Sequence, residues 1–389
     1  MIVQMIAPTP FFADRGCHVR ILEEAKALQV LNNEVTIYTY HNGRNIQGLN
    51  VQRMLNVPWY NKLEAGPSLH MFYLDALLSL YSVKGSYSIN PDIIHAHLHE
   101  GVFIGKFCSK FRFNKKPLVF DVQGSLTGEI LAHSFMKEGT ISNLFLKFEK
   151  QIDNMADAII VSSTNMAEIL INSFGVDKNK INVIPDGVDT DTFNGNEDTS
   201  ILRDQLKIDH QKKIVIFTGL LNKYQGIDYL LESIPAVVDQ VKNICFLIVG
   251  FPNVDMYKSK ARDIGIEDYV LFTGKVNYNE IPKYLSLADI AVSPKIPESG
   301  EANLKLFTYM ASALPTVVFD HSVNREILGD LGVYAKFADT LSLAECIIKL
   351  LEDEAFSKEL SVKLREKAIR DYSWKRSGEK INDVYNKIL

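Results

Sequence analysis

The chain has 389 residues, more than a single core of about 100–200 residues needs, so two domains are expected. Its formal net charge of −5 argues against a dedicated nucleic-acid binder, because such proteins carry a basic excess. Four scattered cysteines, no basic–apolar leader and no apolar run of about 18 residues predict a soluble cytoplasmic protein.

Short apolar runs alternate with helix-length periodic segments along the whole chain, which predicts parallel βαβ units. In the first half we predict helices at 19–31 and 144–155 and strands at 2–7, 34–40, 51–57, 92–97, 117–122, 158–162 and 181–184. After a polar stretch at 189–210 the pattern restarts, with strands predicted at 213–218, 244–249, 269–273, 290–293 and 316–319.

The restart predicts an α/β protein of two similar domains, 1–188 and 189–371, with the boundary near Val188. A final helix at 372–389 is expected to pack back on the first domain. Three successive strands of the second half end in Gly219, Gly250 and Gly274. Ligands of open parallel sheets bind at the carboxyl ends of strands, so this half is expected to bind the larger ligand.

The first strand–helix turn places Gly16 ahead of a helix. Amide groups at a helix start can meet an anion or a sugar hydroxyl, and an ordinary strand–helix connection explains the same glycine. No GxGxxG follows the strand, which argues against a dinucleotide-dependent dehydrogenase.

Three histidines alternate in IIHAHLHE, at His95, His97 and His99. On a strand this spacing points all three to one face, as in a metal site. Apart from Glu100, no acidic residue or cysteine stands at ligand spacing, so we expect cleft-lining hydrogen-bond donors and no metal. Gln123 follows the next buried strand, where a polar group on a cleft floor and an ordinary strand end fit the local residues equally.

The segment 293–306 joins a strand to a helix that starts near Asn303. The helix amides, with Lys305 beside them, suit a diphosphate, and Glu298 or Glu301 can accept hydrogen bonds from sugar hydroxyls. A solvated loop whose glutamates complement the helix dipole is the alternative. We favour ligand binding, because loops held by a rigid sheet are where ligands bind.

Cationic and aromatic residues mix in the run KFCSKFRFNKK at 106–116. Such a run can contact anionic lipid headgroups at a membrane surface. A solvated helix end with its apolar residues turned inward explains it at least as well, so both interpretations stay open.

These motifs together resemble the retaining glycosyltransferases of family four, which have the GT-B fold, nearly from end to end. The resemblance rests on the Arg15-Gly16 turn, DIIHAHLHEG at 92–101, VFDVQGS at 119–125, VIPDGVDTDTF at 183–193, FTGLLNKYQGIDYLL at 217–231 and LKLFTYMASALPTVV at 304–318. It implies two Rossmann-like doubly wound domains facing across a cleft, the acceptor on the first and a nucleotide diphosphate sugar on the second. A glycan or lipid-linked acceptor at the inner face of a membrane is the corresponding expectation.

The resemblance also implies roles for single residues. The backbone near Lys275 and Val276 would meet the base, and Ser299, Gly300 and Glu301 would face the transferred sugar. No metal is expected, since helix amides and cations stabilise the leaving diphosphate. The complete expected set is, for catalysis, Glu301, Lys305, His97 and Gln123, and, for donor binding, Gly16, Gly219, Lys223, Gln225, Gly250, Lys275, Val276, Ser299, Gly300, Asn303, Leu304 and Thr308.

Several positions depart from the family pattern. In this chain, Gly300 and Thr308 stand where the family has its two sugar-loop glutamates. Leu220 and Gln225 stand where it has the phosphate-loop arginine and lysine, and Gln123 stands where it has the histidine after the fifth strand. Lys223 and Lys305 are the candidate substitutes. The departures indicate a divergent donor site and leave two alternatives to a transferase: a GT-B epimerase of nucleotide sugars, and a non-catalytic sugar-nucleotide-binding partner of another transferase.

Overall fold

A computed structural model describes residues 1–13, 16–63, 70–110, 115–126, 140–296 and 303–389. The chain forms two compact units. Within the described ranges, unit 1 comprises residues 1–186 and 374–389, and unit 2 comprises residues 187–296 and 303–373. No helix in these ranges combines the length and the hydropathy that crossing a bilayer requires.

Unit 1 is built on seven parallel strands in the order β3-β2-β1-β4-β5-β6-β7. The strands are β1 Ile2–Ala7, β2 Glu34–Thr39, β3 Asn50–Arg53, β4 Ile93–His97, β5 Leu118–Val122, β6 Ala158–Val161 and β7 Ile181–Val183. Val3 of β1 lies opposite Val35 on one side and Ile93 on the other. The strand order therefore reverses between β1 and β4, which is the topological switch point of this sheet.

The helices of unit 1 include one from the far end of the chain. They are α1 Gly16–Val30, α2 Met71–Ile89, α3 Leu98–Lys110, α4 Thr140–Asp153, α5 Thr164–Asn172 and, after unit 2, the C-terminal helix Trp374–Ile388. A Cβ on Gly378 would lie 2.6 Å from the Cβ of Ala27 on α1. The glycine therefore allows the C-terminal helix to pack closely against α1.

Unit 2 is built on six parallel strands in the order β10-β9-β8-β11-β12-β13. The strands are β8 Lys213–Thr218, β9 Ile244–Val249, β10 Val270–Gly274, β11 Ile290–Ser293, β12 Thr316–Phe319 and β13 Val333–Ala335. The helices are α6 Ser200–Gln205, α7 Ile227–Gln240, α8 Val254–Asp263, α9 Ile281–Ser286, α10 Lys305–Ala311, α11 Ser322–Leu328, α12 Thr340–Glu352 and α13 Glu354–Asp371. The C-terminal helix is α14. Here the strand order reverses between β8 and β11.

Two sequence predictions fail at short elements. The strand predicted at 51–57 ends at Arg53, and β13 was not predicted, because three residues carry too little periodicity.

The expectation that three histidines share one strand face is wrong for His99. Strand β4 ends at His97, Leu98 takes the left-handed conformation with φ 62°, and His99 lies in the first turn of α3.

Candidate functional site

The segments that follow β8 and β11 meet at the switch point of unit 2. The Ile296 amide donates a hydrogen bond of 2.8 Å to the carbonyl oxygen of Tyr224. A Cβ on Gly226, which has φ 74°, would lie 1.8 Å from the carbonyl oxygen of Pro294, so only glycine fits there. Open α/β sheets bind ligands at such a point.

The ammonium group of Lys305 lies at this switch point. Its Nζ donates to Gln225 Oε1 over 2.6 Å and stands 4.3 Å from the centre of the Phe217 ring. A Cβ on Gly219 would lie 2.9 Å from the same Nζ, so the strand-end glycine leaves room for the lysine. Burial, and then the charge of Lys295, lower the pKa of Lys305 well below its ordinary value. Three predicted residues, Lys305, Gln225 and Gly219, are thus brought together.

Lys295 belongs to this cluster, although no sequence prediction assigns it a role. It comes two residues after β11, is 5% exposed, and its charge acts on Lys305 and on His321. Both ring nitrogens of His321, just beyond β12, are buried without a hydrogen bond. Burial and Lys295 lower the pKa of His321 to about 4. Their positions directly after predicted strands are the signal that identifies such residues.

Three predicted residues lie at the start of α10, and one of them ties this segment to the sheet. Asn303 Nδ2 donates to Ser293 Oγ over 2.9 Å, which ties the segment to the end of β11. Thr308 Oγ1 donates to the carbonyl oxygen of Lys305 over 2.8 Å, and Leu304 is the residue that precedes the helix. The predicted sugar contacts Ser299, Gly300 and Glu301, like Glu298, lie outside the described residues.

The remaining predicted donor residues follow β8, β9 and β10. Lys223 lies in the short turn Lys223–Gln225, capped by Asn222, whose side chain accepts from the Gln225 amide. A Cβ on Gly250 would lie 1.9 Å from the Gly219 carbonyl oxygen, so β8 and β9 end in close backbone contact.

Lys275 and Val276 come next after β10. The Lys275 side chain is exposed, and its Nζ lies 5.1 Å from the centre of the Phe251 ring. Val276, the next residue in the chain, is partly buried. The two residues are therefore at the same carboxyl edge of the sheet as Gly219.

In unit 1 the turn after β1 is closed by a histidine. The Ala13 amide donates to His18 Nδ1 over 2.8 Å, so the Nε2 proton of a neutral His18 points to Thr9 Oγ1, 2.7 Å away. A Cβ on Gly16 would meet no atom of the described residues within 4 Å, and Gly16 is exposed at the start of α1. The backbone at the start of α1, at the switch point of unit 1, is thus accessible.

The predicted residues His97 and Gln123 belong to a buried ionic network centred on Arg20. Arg20 donates from Nε and Nη2 to Asp121, at 2.7–3.0 Å, and from Nη1 to Asp186 over 2.5 Å. His97 Nδ1 lies 3.1 Å from Asp121 Oδ2, and Gln123 Nε2 donates to the same oxygen over 3.0 Å. Burial raises the pKa of Asp121, but Arg20 and the His97 hydrogen bond outweigh it and hold the pKa well below its usual range. His97 has no exposed surface, so the expected cleft-lining role is wrong for it in this structure.

Glu24 and His95 extend this network toward the C-terminal helix. Glu24 Oε1 lies 3.0 Å from Arg20 Nε, and His95 Nε2 lies 3.7 Å from Glu24 Oε2. His95 Nδ1 is 2.5 Å from the Tyr385 hydroxyl on α14. Burial and the neighbouring Asp121 raise the pKa of Glu24, whereas burial and His97 lower the pKa of His95.

Two buried groups among the described residues place potential metal ligands within 4.8 Å of one another. Tertiary structure thus supplies the acidic partners that sequence spacing did not indicate. The groups are Glu24, His95, His97 and Asp121, and His99, Glu149 and Asp153. In the first, Arg20 already pairs with both carboxylates. In the second, burial lowers the pKa of His99, but its hydrogen bond to Asp153 and the nearby carboxylates raise it overall, as in an ion pair.

Two glycosyltransferase family models match this chain, one in each half. The model for glycosyltransferase family 4 matches residues 15–192, and that for glycosyl transferases group 1 matches residues 212–353. One model covers most of unit 1 and the other most of the unit 2 sheet. The chain belongs to the glycosyltransferases of the GT-B fold, as a divergent member.

The relatives are distant in sequence. The chain is 25% identical to spore coat protein SA of Bacillus subtilis and 28% identical to a D-inositol 3-phosphate glycosyltransferase of Xylanimonas cellulosilytica, each over 61% of this chain. These matches span 66% and 58% of the relatives, less than two thirds of their length. A D-inositol 3-phosphate glycosyltransferase of Corynebacterium aurimucosum is 25% identical over 95% of this chain and 90% of its own.

Solved structures share the fold at low identity. Sucrose-phosphate synthase from Thermosynechococcus elongatus superposes with a TM-score of 0.82 at 18% identity, covering 100% of this chain and 99% of that one. HepE of Anabaena, solved in complex with UDP-glucose, superposes with a TM-score of 0.79 at 18% identity, covering both chains completely. These likenesses support the two-domain GT-B fold.

Proposed function

We propose that this protein transfers a sugar from a nucleotide diphosphate sugar to a glycan or lipid-linked acceptor, with retention of anomeric configuration. The observation that carries the proposal is the placement of Lys305 at the switch point of unit 2, against Gln225 and Gly219. A cation beside a strand-end glycine suits a diphosphate that needs close backbone approach and charge neutralisation.

The structure supports Lys305 rather than Lys223 as the substitute for the phosphate-loop lysine of the family. Position 225 is glutamine here, and its side-chain oxygen accepts directly from Lys305 Nζ. A cation on α10 therefore lies beside residue 225. Lys295 adds a second positive charge near Lys305.

In the proposed reaction, the bond between the anomeric carbon and the diphosphate oxygen breaks, and the acceptor oxygen bonds to the same face of the sugar. The acceptor proton passes to the leaving diphosphate oxygen. Lys305 stabilises the charge that develops on the diphosphate, on the scale of a single electrostatic donor. Lys275 and Val276 are assigned to the base, Gly250 and Lys223 to the donor cradle, and Glu301 to the sugar. The reaction is proposed to need no metal.

We assign the acceptor to the carboxyl edge of unit 1, where Gly16 leaves its helix start open.

Membrane contact is proposed through α2 and the loop before it, where Trp59, Phe72 and Leu80 are 75%, 76% and 73% exposed. In the basic run 106–116, Lys106 Nζ donates to the Met155 carbonyl and Lys115 pairs with Asp157, so part of that charge is already engaged. Phe72→Ser should weaken sedimentation with anionic vesicles. Unchanged sedimentation would contradict this assignment.

The test is a thermal-shift panel of UDP-glucose, ADP-glucose and GDP-mannose without metal, followed by transfer assays with the donor that binds. A ligand at a hundred times its Kd stabilises by about 2.7 kcal/mol, which is measurable. Turnover of the donor alone to an epimer would favour the epimerase, and binding without any turnover would favour a non-catalytic partner. No shift with any nucleotide sugar would overturn the proposal.

A further inference from the structure

Lys305 is surrounded by neutral acceptors in the described structure. Its Nζ donates to the Gln225 amide oxygen and lies over the face of Phe217. Neither group carries a charge. Within the ranges that the structure describes, Lys305 forms no ion pair with a carboxylate.

The described titratable groups of the neighbouring elements are cationic or neutral. Lys295 follows β11, Lys223 lies in the turn that carries Gln225, and His321 follows β12. His321 is neutral near pH 7, since its pKa is about 4. Tyr309, one turn along α10, bonds through its hydroxyl to the Thr218 amide, and burial raises its pKa, so it too stays neutral.

Among the described residues this partly buried ammonium group therefore has no counter-charge, and a bound anion would supply one. Removing it from water without an anion is unfavourable, and loss of the proton relieves the cost. Burial and the charge of Lys295 accordingly lower the pKa of Lys305 well below its ordinary value. A bound diphosphate reverses this effect, because it places anionic oxygens beside Nζ.

We propose that Lys305 takes up a proton from solvent when a nucleotide diphosphate sugar binds, so that donor binding and protonation of Lys305 are one coupled step. The inference rests on the proposed function, because it needs the diphosphate site. The lone pair of Nζ becomes an N–H bond, and the ammonium charge is present only when the leaving group is in place. The empty site therefore attracts other anions less strongly than a permanent cation would.

The coupling has a defined pH dependence. Donor affinity is constant below the pKa of Lys305 in the free protein. It then weakens by up to tenfold per pH unit until the pKa of the complex is reached, because a single proton is linked to binding. Lys295→Met removes a nearby positive charge, so it should move the start of this decline to higher pH.

Isothermal titration calorimetry tests the proposal on the full chain. Whichever of UDP-glucose, ADP-glucose or GDP-mannose binds is titrated at pH 8.5, in Bicine and in Tris, which differ in heat of ionisation and do not compete for a diphosphate site. These esters have no terminal phosphate with a pKa near 6, so their phosphates exchange no proton at this pH. Wild type should show buffer-dependent heat equivalent to uptake of up to one proton.

Two substitutions at the same position locate the proton. Lys305→Arg keeps its charge at all these pH values, so it should bind with no uptake and with pH-independent affinity. Lys305→Gln should bind more weakly, also without uptake. Lys349→Met is the matched control, since Lys349 also lies over a phenyl ring, 4.8 Å from Phe356, but on α12. It should behave like wild type.

The outcomes separate the inference from the function on which it rests. Donor binding without proton uptake in wild type overturns the inference and leaves the proposed function standing. Uptake that persists in folded Lys305→Arg or Lys305→Gln, checked by Tm, also overturns it, because the proton then binds elsewhere. Absence of binding by all three nucleotide sugars at every pH overturns the proposed function itself.

Discussion

The two units carry charged clusters whose balance differs. In unit 1, Arg20 is enclosed by carboxylates, with Asp121 and Asp186 in direct hydrogen bonds. In the described part of unit 2, Lys305 Nζ contacts an amide oxygen and an aromatic ring. A buried cluster whose charges already pair with one another needs no external ion, whereas one that lacks a counter-charge is suited to an external anion. Burial alone therefore does not distinguish a structural charged side chain from a functional one, whereas the balance of charge around it does.

The largest expected effect comes from breaking the balanced cluster. Arg20→Met leaves Asp121 and Asp186 buried without their cation and should lower the free energy of unfolding by about 3–5 kcal/mol, measured by urea denaturation. Lys26→Ala on the same helix is the control, because its pair with Glu23 is partly exposed and should contribute about 1 kcal/mol or less. Equal losses in the two variants would contradict the comparison.

Breaking the unbalanced cluster should affect activity rather than stability. Lys305→Met should lower turnover about a hundredfold while the free energy of unfolding stays equal or rises, because a partly buried amine that has no counter-charge among the described residues is removed. Transfer kinetics and urea denaturation are measured on the same preparation. Turnover near the wild-type value would remove Lys305 from the proposed mechanism.

A smaller effect, visible only against pH, is expected at Glu24. Burial and Asp121 raise its pKa in the folded state, so wild type loses stability as pH rises from about 4 toward that pKa. Glu24→Gln cannot ionise and should match wild type near pH 4 but be more stable at pH 8. Urea midpoints at the two pH values measure the difference. A variant that is less stable at pH 8 would show that Glu24 is ionised and satisfied.

The smallest expected effect concerns metal removal. If Arg20 neutralises the first potential ligand group and His99 pairs with the carboxylates of the second, EDTA should change neither Tm nor turnover. Added Zn²⁺ should likewise leave Tm unchanged. A rise in Tm that His95→Ala abolishes would show that the first group holds a metal after all.

The sequence alone located most strands, because buried parallel strands are continuous apolar runs separated by helical periodicity. It also predicted that Lys305 and Gly219 belong to one site, and the structure brings the two residues together, since strand ends and the helix start that follows can be read locally. It missed β13, whose three residues are too few for a pattern.

What only the tertiary structure decided is which charges meet. Asp121 is 101 residues from Arg20, and Tyr385 is 290 residues from His95, so no local spacing could pair them. Sequence spacing therefore suggested cleft-lining hydrogen-bond donors, whereas packing buries His97 against Asp121. The same packing puts Lys305 beside Gln225, 80 residues away. Local pattern determines secondary structure through periodic burial, but electrostatic roles depend on distances that exist only once the strands are ordered in their sheets.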